Sequence, residues 1–245
     1  AGISDQCSQN YTIALSAGNV INFTVVVNDS SNNLRTNDTI VTVGTQYHIS
    51  NCTDLDTANR VYGLINNVNS SGTCMYVLAN NVTLDCHGFD INYSQKVGGY
   101  GINNTRYNYS TIRSCNIVQN VTNGGGPANS YGIYIFNNSN FNLVYNTSIT
   151  TNSTSGYAIY LLNDAKNNNI TNNTITTSGT LGYGALLQTS SNNNVYSNSI
   201  TTSGNTGYGA YLITGSKNNK LYSNTITTGG STGYGAYLTT SSNNS

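Results

Sequence analysis

The sequence predicts an all-β chain whose greater part is a parallel β-helix with about 25–26 residues per coil. Three observations carry the prediction. A Tyr-Gly or Tyr-Ala pair recurs at Tyr100, Tyr131, Tyr157, Tyr183, Tyr208 and Tyr234, at spacings of 31, 26, 26, 25 and 26 residues. Each unit then runs in the same order: an alternating stretch such as YGAYL, a polar corner such as TGSKNN, and a second stretch such as LYSNTIT. These stretches are short, β-branched and aromatic with period two, and Gly, Asn and Ser interrupt them, which excludes helices. A unit this small cannot bury its own inner face. Stacked units can, each strand pairing with its counterpart about 4.8 Å away.

In chain order, residues 1–50 read as an N-terminal β-strand region, with YTIAL, VINFTVVV and DTIVTVG as strands around the polar run NDSSNNLRTN. Residues 51–73 read as a Cys-containing connection, and residues 74–245 as the coils. Period-two alternation turns Ile133/Ile135, Ile159/Leu161, Ala185/Leu187, Ala210/Leu212 and Ala236/Leu238 inward. Ile175, Ile200 and Ile226 form a second inner stack. Two residues before them stand Asn173, Asn198 and Asn224, with Asn146 assigned to the same column one coil earlier. An amide recurring at one corner predicts a ladder, each side chain bonding its counterpart in the next coil.

The outward residues sort by the same alternation. Tyr134, Tyr160, Tyr211 and Tyr237, with Leu186 between them, are expected to form an exposed stack and a contact face. Beside it Gly132, Ala158, Gly184, Gly209 and Gly235 are expected to make a smooth track. Another face carries Ser148/Thr150, Thr174/Thr176, Ser199/Thr201 and Thr225/Thr227. The final run, GYGAYLTTSSNNS, stops where a second strand is due, so either the chain continues past Ser245 or another subunit supplies that strand.

Composition narrows the function classes. Charged residues are 7% of the chain, Glu is absent and the formal net charge is zero. That argues against nucleic acid and against a polybasic membrane patch. No apolar run approaches the 18 or so residues of a membrane span. The 44 Asn and 61 Ser plus Thr produce 17 Asn-X-Ser/Thr sequons, more than the roughly 11 of chance. Sequons on corners and loops, such as Asn37, Asn69, Asn103, Asn137 and Asn152, are the expected glycan acceptors, whereas a ladder Asn146 would stay bare. Five cysteines lie in the first half without a metal-type Cys-X-X-Cys, which suits an exported chain with disulfides. Coil alignment puts Cys115 at the ladder corner one coil after Cys86, so these two are expected to pair. Cys52 and Cys74 flank a polar loop and form the other expected pair, leaving Cys7 unassigned.

The string GIYIxNSxN…NxI resembles the right-handed β-helix repeats of the pectate-lyase-like superfamily, above all its NosD-like type, over about Cys74 to Ser245. CMYVLANNVTLDCHGFDI, Cys74–Ile91, resembles the first coil of archaeal surface β-helix proteins. The resemblance implies a right-handed helix and leaves function open, because lyases, hydrolases, adhesins and scaffolds share this architecture.

Catalysis would need acidic groups converging on one face, as in polygalacturonase-like enzymes of this fold. Only Asp164 lies in the regular coils, beside Lys166. Asp85, His87, Asp90, Lys96 and Arg113 fall in the first two coils, where Asp85 and Arg113 are expected as a cross-strand charge pair. Asp54-X-Asp56 is a weak calcium pattern, and Gly207-Tyr208-Gly209 lacks what a dinucleotide motif needs. No catalytic residue, metal site or cofactor is assigned.

The sequence therefore points to a non-enzymatic, glycosylated extracellular protein, a subunit of a surface layer or filament built from copies of itself. Val20, Ile21, Phe23, Val25 and Val27 are the expected donor strand for such a joint. A surface module that binds or processes polysaccharide is the alternative. A third reading is an ice-binding protein, whose flat Thr arrays the Ser/Thr face resembles.

Overall fold

The computed structural model describes residues 20–28, 34–42, 46–119, 127–240 and 243–245, the first two stretches as backbone only. The chain divides into two units, Ala1–Gln46 and Tyr47–Ser245. In the first, Val20–Asn28 pairs antiparallel with Leu34–Thr42 in a continuous register from Val20↔Thr42 to Asn28↔Leu34. The expected donor strand is therefore already paired along one edge.

The second unit is a right-handed parallel β-solenoid of about seven coils, with no helix among the described residues. Each full coil contributes one strand to each of three parallel sheets. Sheet one stacks Asp54–Leu55, Met75–Val77, Tyr100–Thr105, Tyr131–Phe136, Ile159–Leu162, Ala185–Gln188, Ala210–Ile213 and Ala236–Thr239. Sheet two runs from Gln46–Ile49 through Val61–Leu64, Thr83–Asp85, Thr111–Arg113, Leu143–Tyr145, Asn169–Thr171 and Asn194–Tyr196 to Lys220–Tyr222. Sheet three runs from Val68–Asn69 through Asp90–Asn92, Asn116–Val118, Ser148–Thr151, Thr174–Thr177 and Ser199–Thr202 to Thr225–Thr228.

The coils begin earlier than the sequence suggests. Segment 51–73, read as a connection, supplies a strand to each sheet, and Leu55, Tyr62, Leu64 and Val68 are buried there. It lacks the Tyr-Gly mark, so periodicity could not show it, but its apolar residues fill the same inward columns. Those columns are continuous: Tyr62, Leu84, Ile112, Val144, Ile170 and Val195 in sheet two, and Val68, Ile91, Ile117, Ile149, Ile175 and Ile200 in sheet three, all buried. Apolar side chains stacked one coil apart bury one another, which is how short strands make a stable core.

Asn ladders close the corners. The corner between sheets two and three carries Asn173, whose Nδ2 donates to Asn198 Oδ1 at 3.0 Å, and Asn198, whose Nδ2 donates to Asn224 Oδ1 at 3.0 Å. The structure removes Asn146 from this column. Thr147 is the buried residue there, and its N–H donates to Asn173 Oδ1 at 3.0 Å, while Asn146 faces outward with a left-handed φ of 51°. Thr147 is the residue two before Ile149, so the offset holds and residue type misleads.

A second ladder, which the sequence reading missed, lines the corner between sheets one and two. Asn142 donates to Asn168 Oδ1, Asn168 to Asn193 and Asn193 to Asn219, each at 3.0 Å, and Asn219 to Asn244 at 3.2 Å. Its signal was present, since Asn142, Asn168 and Asn193 also stand two residues before inward Val144, Ile170 and Val195.

Candidate functional site: the tyrosine face and the first-coil charge cluster

Sheet one carries the most distinctive surface. Tyr131, Tyr157, Tyr183 and Tyr208 stack face to face from coil to coil, with ring centroids 4.9, 5.0 and 5.1 Å apart and planes within 10°. Tyr100 extends the column at 5.4 Å and Tyr234 at 5.5 Å. Beside it runs the expected contact face. Tyr160 stands at 86° to Tyr157, and Tyr211 at 76° to Tyr183 and 85° to Tyr208, the edge-to-face geometry aromatic quadrupoles favour.

The face is not the fully exposed stack that alternation suggests. Tyr160 and Tyr183 are 8% exposed and Leu186 3%, Tyr134 and Tyr211 are half-buried, and Tyr237 is 36% exposed. These outward rings thus form a second apolar layer outside the solenoid, with Phe136, Leu162 and Ile213 packed along it. Burial pushes the Tyr183 phenol up to about 12, with Tyr157, Tyr208 and Tyr211 adding to the shift. Burial likewise raises Tyr131, Tyr134 and Tyr160.

Except for Gly235 in the last coil, the glycine track is not on this surface. Gly132, Ala158, Gly184 and Gly209 are buried, and a Cβ at Gly184 or Gly209 would overlap the γ2 methyl of Ile200 or Ile226. Glycine stands there because sheet three's isoleucines press against the backbone of sheet one.

Of the first-coil cluster, Asp85, His87 and Arg113 come together and are committed to structure, whereas Asp90 bonds elsewhere and Lys96 is exposed. Asp85 pairs with Arg113 on the next strand, Nε to Oδ2 at 2.9 Å, and its Oδ1 accepts from the His87 backbone N–H at 3.1 Å. Arg113 Nη1 donates to Tyr145 Oη at 3.1 Å. That hydrogen bond and the Asp85 charge hold the guanidinium pKa up against burial. The His87 imidazole lies 3.6 Å from Asp85 and 3.2 Å from the Leu64 carbonyl. Asp90 accepts from Asn116, and Asp56 from Tyr62 and Thr57. Lys166 pairs with Asp164 at 2.8 Å.

Cys52 is bonded to Cys74 and Cys86 to Cys115; Cys7 lies outside the described residues. Among the sequon residues, Asn69 is exposed, and Asn103, Asn137 and Asn152 are half-buried. Asn103 accepts from Thr105 at 2.9 Å, and the Asn137 amide, turned to face Arg106, accepts its guanidinium at 2.8 Å. Asn37 lies in the hairpin strand opposite Val25.

A family model described as periplasmic copper-binding protein (NosD) matches residues 116–245, a little over half of the chain. The chain belongs to the NosD family. No curated protein and no solved structure matches it significantly. The family description and the two disulfides fit an extracytoplasmic chain. Copper is another matter. Copper sites use imidazole, thiolate and thioether ligands, and the matched segment contains no His, Cys or Met. Elsewhere Met75 is wholly buried and four cysteines are in disulfides. Among the described residues no three His, Cys, Asp or Glu side chains gather as a metal group. The described residues do not fit copper.

Proposed function

We propose that this protein is a structural element of an extracellular surface, a glycosylated rod that assembles with copies of itself into a layer or filament. One observation carries the reading: the outward layer of sheet one. From Tyr131 to Thr239 its columns hold Tyr, Phe, Leu and Ile, with Gln188 and Thr239 as polar members and no charge, and an uncharged aromatic layer whose rings become open at Tyr234 and Tyr237 suits a protein contact. The nearest charges, Asp164 and Lys166, lie at the corner beyond the sheet, paired with each other at 2.8 Å. The hairpin adds a second means of joining. Among the described residues the two hairpin strands pair only with each other; a two-stranded hairpin is marginal in water, and a strand edge of this kind suits β-strand addition to a sheet edge of another copy.

A polysaccharide is the competing occupant of the aromatic face. Sugars stack on ring faces, and Tyr131, Tyr157, Tyr183 and Tyr208 cover one another's faces, which favours protein as partner. Deleting the chain through Asn28 tests the joint. A shortened protein that keeps its β-rich spectrum and melting point but no longer polymerises supports donation by this strand. Polymers that form as before place the joint elsewhere, and a rod that unfolds makes the segment a cap.

A further inference from the structure

We propose that the outer side of the corner between sheets two and three is an N-glycan attachment site, with Asn146 and Asn172 as acceptors. The inference rests on the reading of the chain as an exported glycoprotein and gives that glycan a place.

Asn146 and Asn172 occupy the same position in consecutive coils, one residue before the ladder column. Both adopt left-handed backbone, φ 51° and 54°, and both are exposed. An Asn could stand there only because Asn tolerates this conformation. The neighbouring coils argue otherwise: Ser114, Ser197 and Ser223 take the same corner at φ 52°, 55° and 54°. The backbone is satisfied by Ser, and Asn appears in the two coils where it heads a sequon, Asn146-Thr147-Ser148 and Asn172-Asn173-Thr174.

The surroundings favour a sugar. An open groove of about 390 Å³ is lined by Asn146, Ser148, Asn172 and Thr174, so both sequons border one space. Asn146 Nδ2 makes a single long hydrogen bond, 3.3 Å to Ser114 Oγ. The ladder amide one residue on differs sharply: Asn173 Nδ2 donates to Val144 O and Asn198 Oδ1, each at 3.0 Å. Substituting a ladder nitrogen would break the corner, whereas substituting Asn146 or Asn172 leaves the ladder's hydrogen bonds in place. Because each coil has three sides, this corner lies opposite sheet one, so a glycan here leaves the tyrosine face clear.

The bond itself requires an activated sugar diphosphate and no redox partner. Nδ2 attacks the anomeric carbon, the C1–O bond to diphosphate breaks as C1–Nδ2 forms, and the amide loses one proton to base.

Site-localised glycopeptide sequencing of the protein from its native cells tests this directly. A glycan on Asn146, Asn172 or both is expected, with none on Asn173, Asn198 or Asn224. Asn146→Ser with Asn172→Ser, which installs the corner residue of the other coils, should remove that mass and leave the melting temperature of the unglycosylated protein unchanged. Glycans on other sequons with these two bare would overturn the site while leaving the glycoprotein reading intact. A wholly unmodified chain would overturn both.

Discussion

Between Gln46 and Val118 the coils are irregular and stapled; from Tyr131 onward they are regular and laddered. The early coils hold both disulfides, the Asp85–Arg113 pair and the buried aromatic plugs Tyr62 and Tyr93. The later coils have no cysteine and one ion pair among the described residues, and they rely on two Asn ladders and the tyrosine column. A solenoid can thus replace covalent staples by repetition, because each repeated amide bonds its own copy one coil away. The same contrast separates chemistry from architecture. Both histidines and all cysteines precede Asn116, and the repeated coils consist almost wholly of neutral side chains.

The contrast predicts where damage is greatest. Cys86→Ser with Cys115→Ser opens a cross-link spanning 29 residues and should cost about 3–4 kcal/mol in urea unfolding. The loss should appear as early exchange of amides in the first coils while the later coils stay protected. Uniform loss across the rod would mean that the two regions unfold as one.

Asn193→Ala comes next. Its amide oxygen accepts from both Asn168 nitrogens, and its nitrogen donates to Ala165 O and Asn219 Oδ1. Stranding those buried partners should cost about 3 kcal/mol. Asn146→Ala, off the ladder, should stay within about 0.5 kcal/mol. Equal effects would refute the register given to that coil.

Tyr183→Ala should cost about 2 kcal/mol through lost packing on both sides of its ring, well above Tyr237→Ala at the more open end of the face. The same column makes the rod sensitive to alkali. The folded phenol of Tyr183 is pushed up to about 12, while an unfolded one ionises near 10. Stability is therefore full below pH 10 and falls as pH rises from 10 towards 12, and melting temperatures across that range should show it. Tyr183→Phe should flatten the decline.

One further substitution has the opposite sign. The Tyr93 hydroxyl is fully buried without a hydrogen-bond partner. Tyr93→Phe should stabilise the first coils by about 1 kcal/mol. A loss of stability would reveal a partner for that hydroxyl.

How far the sequence discloses this molecule follows from the same division. The three sheets and their inward columns were legible from residue 74 because Tyr-Gly pairs and period-two alternation repeat there. The coils before Cys74 were not, since Tyr62 and Val68 serve in the core without repeating a motif. Asn146 misled because an Asn beside a corner looks like a ladder member, although Thr147 has the ladder offset. The glycines misled because their inward contact is with another sheet's Ile200 and Ile226, which alternation along a single strand cannot show. The perpendicular packing of Tyr160 and Tyr211 against the first column likewise depends on ring orientation, which only the structure supplies.

The function proposed for this protein is assembly with copies of itself. Electron microscopy of native material tests it most directly. Ordered filaments or arrays in which the tyrosine face of sheet one lies against another copy are the predicted result. Dispersed single rods, at the concentration and ionic conditions of the native surface, would contradict it.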